Sequence, residues 1–82
     1  MTRSTELDAA FRNALGLPDE AVVTDAAYGK TEGWDSVAHM QLVAAIETTF
    51  DVMLDTEEVI GLSTYDAARQ ILRDHHAVAL DA

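Results

Sequence analysis

Gly33-Trp34-Asp35-Ser36-Val37-Ala38-His39-Met40-Gln41-Leu42-Val43-Ala44-Ala45-Ile46-Glu47-Thr48-Thr49-Phe50 is the stretch that decides the fold. It begins at the end of a polar, glycine-bearing segment and then repeats apolar side chains with a helical period. At about 100° per residue, Leu42, Val43, Ile46 and Phe50 share one face. That predicts an amphipathic helix from about Ser36 to Phe50. Asp35 is a good N-cap, because its short carboxylate reaches a free N–H of the first turn. Ser36 then falls in that turn with its hydroxyl exposed. Free backbone N–H groups and the positive end of the helix dipole favour a phosphate there. Such a serine suits the attachment of a phosphodiester-linked arm. It does not suit a self-contained nucleophile, because nothing nearby forms a Ser-His-Asp relay.

The same helix carries a second apolar stripe. Val37, Met40 and Ala44 recur at i, i+3 and i+7 on a different side. A small bundle does not easily bury both faces of one helix, so this stripe is a candidate partner surface beginning beside Ser36. The alternative is that the long preceding loop covers it. Glu47 and Asp51 form an acidic i,i+4 pair on the Met40 side, either a docking point for Arg or Lys or a solvated edge. His39 lies nearer the core side, one turn after Ser36. It is either a hydrogen-bonded, half-exposed histidine or part of the opening through which an arm on Ser36 would enter the bundle. No second ligand sits at helical spacing from it, which argues against a metal.

Outward from this helix, helical periodicity dominates the chain. A first helix is expected from about Glu6 to Leu15, capped by Thr5 with Asp8 as partner. Its apolar stripe is Leu7, Ala10, Phe11, Ala14 and Leu15, and Gly16 and Pro18 stop it. Residues 16–34 form a long connection, and its Leu17, Val22, Val23 and Tyr28 suggest a loop pinned to the bundle. A short third helix is expected near Thr56 to Ile60, capped by Asp55 with Glu58 and ended by Gly61. A last helix opens at Ser63 or Thr64 and runs to about Asp74, with Tyr65, Ala68, Ile71 and Leu72 facing inward. Strand signals are weak, confined to Ala21-Val22-Val23 and Val52-Met53-Leu54. The expectation is one all-α domain over 1–82. It is a small antiparallel four-helix bundle of three main helices plus a short third, with a core of about 5–73. Residues 75–82, His75 and His76 among them, are expected to be a frayed, solvated tail.

Composition bounds the function. With 82 residues, 49% of them hydrophobic, the chain can build one small core. A net charge of -10 repels phosphate backbones and argues against nucleic acid. It favours basic partner surfaces, although acids also simply keep a small protein soluble. The chain has no cysteine, which excludes disulfides, thiolate metal sites and a cysteine nucleophile, and which fits a reducing cytoplasm. Met1-Thr2-Arg3-Ser4-Thr5-Glu6 lacks an apolar signal core, and no apolar run nears the roughly 18 residues of a membrane span. A cytoplasmic monomer is expected.

Trp34-Asp35-Ser36-Val37, the helix that follows and Phe50 closing it resemble the acyl carrier protein family. Helix one, the long loop with Tyr28, the short helix after Asp55 and Ser63-Thr64-Tyr65 match in order and spacing, over about residues 5 to 73. The resemblance implies that Ser36 receives phosphopantetheine from coenzyme A through a separate magnesium-dependent phosphopantetheinyl transferase. The arm's thiol would then hold an acyl or aminoacyl group as a thioester, while the protein itself catalyses nothing. By position it implies that Asp35 presents the serine and that Val37, Met40 and Ala44 meet partner enzymes. His39, Val43, Ile46, Phe50, Leu54, Val59, Leu62 and Ala68 would border an acyl pocket. Val37 stands where Leu is usual. Ala38, Gln41, Thr48, Thr49 and Ile60 stand where acids are common in carriers of fatty acid synthesis. Together with Trp34 this points to a dedicated carrier of a specialised fatty acid or polyketide-type pathway, with an aminoacyl or peptidyl carrier as the nearest rival. An unmodified helical adaptor would keep the bundle but give Ser36 no covalent role. An autonomous hydrolase lacks a base and an oxyanion site around Ser36.

Overall fold

The computed structural model describes residues 3–80. Four helices follow one another in it: α1 Ser4–Leu15, α2 Ser36–Phe50, α3 Thr56–Gly61 and α4 Tyr65–His76. There is no strand among the described residues. The two weak strand candidates run as connections, and a single isolated bridge pairs Ala27 with Thr64. None of the helices is long and apolar enough to cross a membrane.

α1 and α2 pack closely and run antiparallel. The guanidinium of Arg3, just before α1, donates to the Thr49 carbonyl at 2.9 Å and lies over the Phe50 ring, both at the far end of α2. α4 is antiparallel to α1 in turn. The Tyr65 hydroxyl donates to Asp8, and Arg69, one turn on, donates to Ser4 Oγ at 3.1 Å. Burial and the Asp8 carboxylate both push the Tyr65 hydroxyl above its ordinary pKa. Between the helices lies one apolar cluster. Leu7, Phe11, Leu42, Ile46, Leu62, Ala68 and Leu72 are all fully buried in it.

The two ends of the chain depart from expectation. α1 starts at Ser4, not near Glu6, and Arg3 rather than Thr5 stands at its N-cap without a side-chain cap bond. Asp8 holds Tyr65 instead of capping. α4 runs to His76, and residues 77–80 are packed, not frayed. Ala77 takes the left-handed conformation at φ 56°, with its N–H on the Leu72 carbonyl. The turn sends Val78 and Leu80 back into the core, and the Leu80 carbonyl accepts from Ser4 and Arg69. Residues 81 and 82 of the expected tail, and Met1 and Thr2, lie outside the described residues.

His75 is solvent-exposed as expected, His76 is largely buried, and neither is a loose tail residue. Both ring systems bond the carboxylate of Glu58 on α3, His75 Nδ1 at 2.8 Å and His76 Nε2 at 3.0 Å. Glu58 also completes the expected capping box. It accepts from the Asp55 N–H, while the Asp55 carboxylate accepts from its own. The Asp55 N–H, more than the two imidazoles, holds the Glu58 carboxyl at about 2 against the opposing cost of burial. A carboxyl depressed in the folded state stabilises it fully above its unfolded value and loses that contribution as pH falls toward the folded value. Glu58→Gln is therefore expected to be less stable than the parent by about 1–3 kcal/mol at pH 6. The difference should close between about pH 4.5 and pH 2. Urea denaturation at pH 6 and pH 2.5 checks this, and an equal difference at both would contradict the assignment.

Candidate functional site

The site is built where the long loop runs into α2. The loop is pinned as expected, though not by every residue named for it. Val23, Ala26 and Trp34 are buried, Leu17 partly so, while Val22 is exposed and Tyr28 nearly half exposed. At Gly33 the chain passes hard against the end of α1 at φ 89°. A Cβ there would stand 2.7 Å from the Leu15 carbonyl oxygen, so only glycine fits. That approach drives the next residue, Trp34, into the core, edge-on to Phe11 with ring centroids 5.5 Å apart. A buried Trp34 sets the position of Asp35, and Asp35 sets the helix start.

α2 spans Ser36–Phe50 as its periodicity predicts. The Asp35 carboxylate accepts from the Ala38 N–H at 2.9 Å, and the Asp35 carbonyl from the His39 N–H at 2.8 Å. Ser36 is the first residue of the helix and is exposed, and its hydroxyl has no hydrogen-bond partner among the described residues. It stands on the rim of an open cleft of about 400 Å³ bordered by Tyr28, Thr31, Gly33 and Trp34. No acidic residue occupies the first turn of α2. A phosphate on Ser36 would meet unpaired N–H groups and no carboxylate beyond the cap itself. The residues present therefore fit a phosphodiester at this position.

This arrangement agrees with a comparison across the whole fold. Residues 5–74 match the family model described as phosphopantetheine attachment site. The chain belongs to that family. It is a phosphopantetheine carrier, a non-catalytic protein that takes the group covalently. As a carrier it works with a phosphopantetheinyl transferase and with biosynthetic enzymes.

The other residues singled out from the sequence divide into an outer and an inner set. Val37, Met40 and Ala44 are exposed on α2, so the loop does not cover that stripe. Asp51 is exposed and ends α2 in the left-handed conformation. Glu47 is half-buried, and its Oε2 accepts from the Leu54 N–H at 2.9 Å, which ties the α2–α3 connection. In the inner set, Val43, Ile46, Phe50, Leu54, Leu62 and Ala68 are buried in the common core, with Val59 packed partly buried against it. A groove of about 360 Å³ lies instead between α3 and α4, bordered by Glu58, Gly61, Ile71 and His75, and shares none of the residues expected to line the acyl pocket.

His39 is hydrogen-bonded on both ring nitrogens. The Trp34 indole donates to Nδ1 at 3.0 Å, and Nε2 lies 2.9 Å from the Val59 carbonyl. The two rings stack at 20°, with Tyr28 edge-on to both. The bond between Trp34 and His39 is not visible in the sequence. The only available signal was their five-residue spacing across a helix start, which many unrelated pairs share.

Proposed function

We propose that Ser36 is the residue that takes the phosphopantetheine arm, and that the protein carries an acyl group for a specialised fatty acid or polyketide-type pathway. The observation that carries this is the exposed Ser36 hydroxyl, without a hydrogen-bond partner among the described residues, at the N-terminus of α2 beside the exposed Val37-Met40-Ala44 stripe. The arm, once bound, supplies a thiol that holds cargo as a thioester. The protein's own residues do the rest. Asp35 fixes the first turn of α2 and so orients the Ser36 hydroxyl toward solvent. Val37 and Met40 give the transferase and the acyl-loading ligase an apolar footing, flanked by Glu47 and Asp51. His39, Val43, Ile46, Phe50, Leu54, Val59, Leu62 and Ala68 lie where they would border a chain drawn between α2 and α3.

The net charge of -10 favours acyl over aminoacyl cargo, since carriers of amino acids and peptides tend to be less acidic. An aminoacyl or peptidyl carrier is the second reading. The cysteine-free sequence supports work in the reducing cytoplasm, and we read the protein as a monomer.

Intact-protein mass after incubation with coenzyme A, magnesium and a broad-specificity phosphopantetheinyl transferase tests the attachment. One added phosphopantetheine, mapped to the peptide holding Ser36, is the expected result. Mapping elsewhere would refute it. Loading of the modified protein with acyl or aminoacyl groups by matched ligases then separates the two cargo classes. Met40→Asp places a charge in the middle of the apolar stripe and is expected to slow modification about tenfold or more with helicity unchanged. Unchanged kinetics in that variant would remove the stripe from the docking surface.

A further inference from the structure

The cleft on whose rim Ser36 stands is walled by the loop before α2, and the loop is braced from within. The Ala27 N–H donates to Thr31 Oγ1 at 2.9 Å, and the Lys30 and Thr31 N–H groups both donate back to the Ala27 carbonyl. The Gly29 N–H closes the loop onto the Trp34 carbonyl. From outside, the Tyr28 N–H fastens it to the Ser63 carbonyl at 2.8 Å, next to the start of α4. The Tyr28 ring lies edge-on to both Trp34 and His39. The wall is thus formed before any ligand meets it.

That wall sets open hydrogen-bonding groups beside apolar surface. The Tyr28 hydroxyl and the Gly33 N–H have no hydrogen-bond partner among the described residues. The Tyr28 ring is nearly half exposed. Pantetheine matches this mixture, since it carries amides, a hydroxyl and a geminal dimethyl group and no charge. The acidic surface of the protein neither draws it in nor repels it, so hydrogen bonds and apolar contact decide where it lies. At about 400 Å³ the cleft falls within the roughly 300–1,000 Å³ of sites that hold small organic ligands.

The side of Ser36 toward α3 offers less room. Ile46, Leu54 and Leu62 are buried there, and His39 is held between the Trp34 indole and the Val59 carbonyl. A tether also lowers the affinity the cleft needs. An arm joined at the rim is held at an effective concentration on the order of millimolar. A cleft of only millimolar affinity is then filled much of the time, and it still gives the arm up readily.

We propose that the cleft walled by Tyr28, Thr31 and Gly33 is a seat for the pantetheine arm, which at rest lies along the loop and not between α2 and α3. The resting place depends on Ser36 as the attachment residue, whereas the affinity of the cleft for pantetheine does not. An arm seated there leaves the exposed Val37-Met40-Ala44 stripe free. A partner can then dock on α2 first and draw the arm out of the cleft afterwards.

Titration of the unmodified, isotope-labelled protein with free pantetheine, followed by NMR, tests the seat without the attachment. The Tyr28, Thr31 and Gly33 amides are expected to shift together with millimolar affinity, while Val59 and Ile60 stay in place. Tyr28→Phe keeps the ring and its edge contacts but loses the hydroxyl, and should bind about threefold to tenfold more weakly. Shifts on α3 in place of the loop, or no shift at millimolar pantetheine, overturn the seat. Equal binding by Tyr28→Phe removes the hydroxyl from it. In the protein modified from coenzyme A, nuclear Overhauser contacts are expected between the dimethyl group of the arm and the Tyr28 ring. Contacts to Val59 or Ile60 instead overturn the resting place. An arm mapped to another residue overturns the attachment, and the titration of the unmodified protein judges the cleft apart from it.

Discussion

Ser36→Ala is expected to abolish phosphopantetheine attachment while leaving the stability of the fold within about 0.5 kcal/mol of the parent. The two halves of that outcome come from the same geometry. The Ser36 hydroxyl is exposed and bonds nothing in the described protein, so its loss breaks no contact. The helix start belongs to Asp35, whose carboxylate and carbonyl hold the Ala38 and His39 N–H groups. The other serines do not offer the same position. Ser4 Oγ is bonded to the Leu80 carbonyl and to Arg69. Ser63 lies two positions before the first residue of α4, and Thr64 is the cap there. Intact mass with and without transferase reads the first half, and urea denaturation the second. An arm on the variant at the parent's rate would transfer the attachment to another residue. A loss of more than about 1 kcal/mol would mean that Ser36 supports the helix start, contrary to its surroundings.

The helices were legible in the sequence where local chemistry alone determines them. α2 begins at Ser36 because an Asp cap and a 3.6-residue apolar pattern coincide, and α3 because Asp55 and Glu58 are spaced for a capping box. The second apolar stripe was legible too, since Val37, Met40 and Ala44 exceed what one buried face can hold. The ends were not. α1 starts before its first apolar residue because Arg3 is tied to Thr49 and Phe50, far away in sequence. The final turn depends on Ala77 adopting a left-handed conformation that alanine rarely takes, with Val78 and Leu80 supplying the compensation by burial. No residue there announces a stop. The links from Glu58 to His75 and His76 cross 17 and 18 positions between two helices, and nothing local in two adjacent histidines shows them until the neighbouring helix is placed. In the site itself, the serine and its cap could be read locally. The Trp34–His39–Val59 chain could not, because it exists only once Gly33 has turned Trp34 inward.

Trp34→Ala is expected to cost about 3–5 kcal/mol, the usual penalty for removing a large aromatic side chain from a packed core. Trp34 is 2% exposed and lies edge-on to Phe11, while its indole N–H satisfies His39. A domain of this size has a total stability near the lower part of about 5–15 kcal/mol, and net self-repulsion from its acids reduces it further. The variant should therefore be largely unfolded at 37 °C. Trp34→Phe keeps the edge contact but leaves His39 Nδ1 without a donor, and should lose about 1–2 kcal/mol. Far-UV circular dichroism against urea measures both without relying on tryptophan emission. The contrast matters because Trp34 belongs to a connection, and connections ordinarily tolerate substitution. Here the connection supplies core volume, and its last buried residue adjoins the cap that presents Ser36. If Trp34→Ala lost less than about 1 kcal/mol, the loop would be a cover laid over a self-sufficient bundle. The expected larger loss would make folding and presentation of the serine one event, so that an unfolded carrier offers the transferase no helix start to recognise.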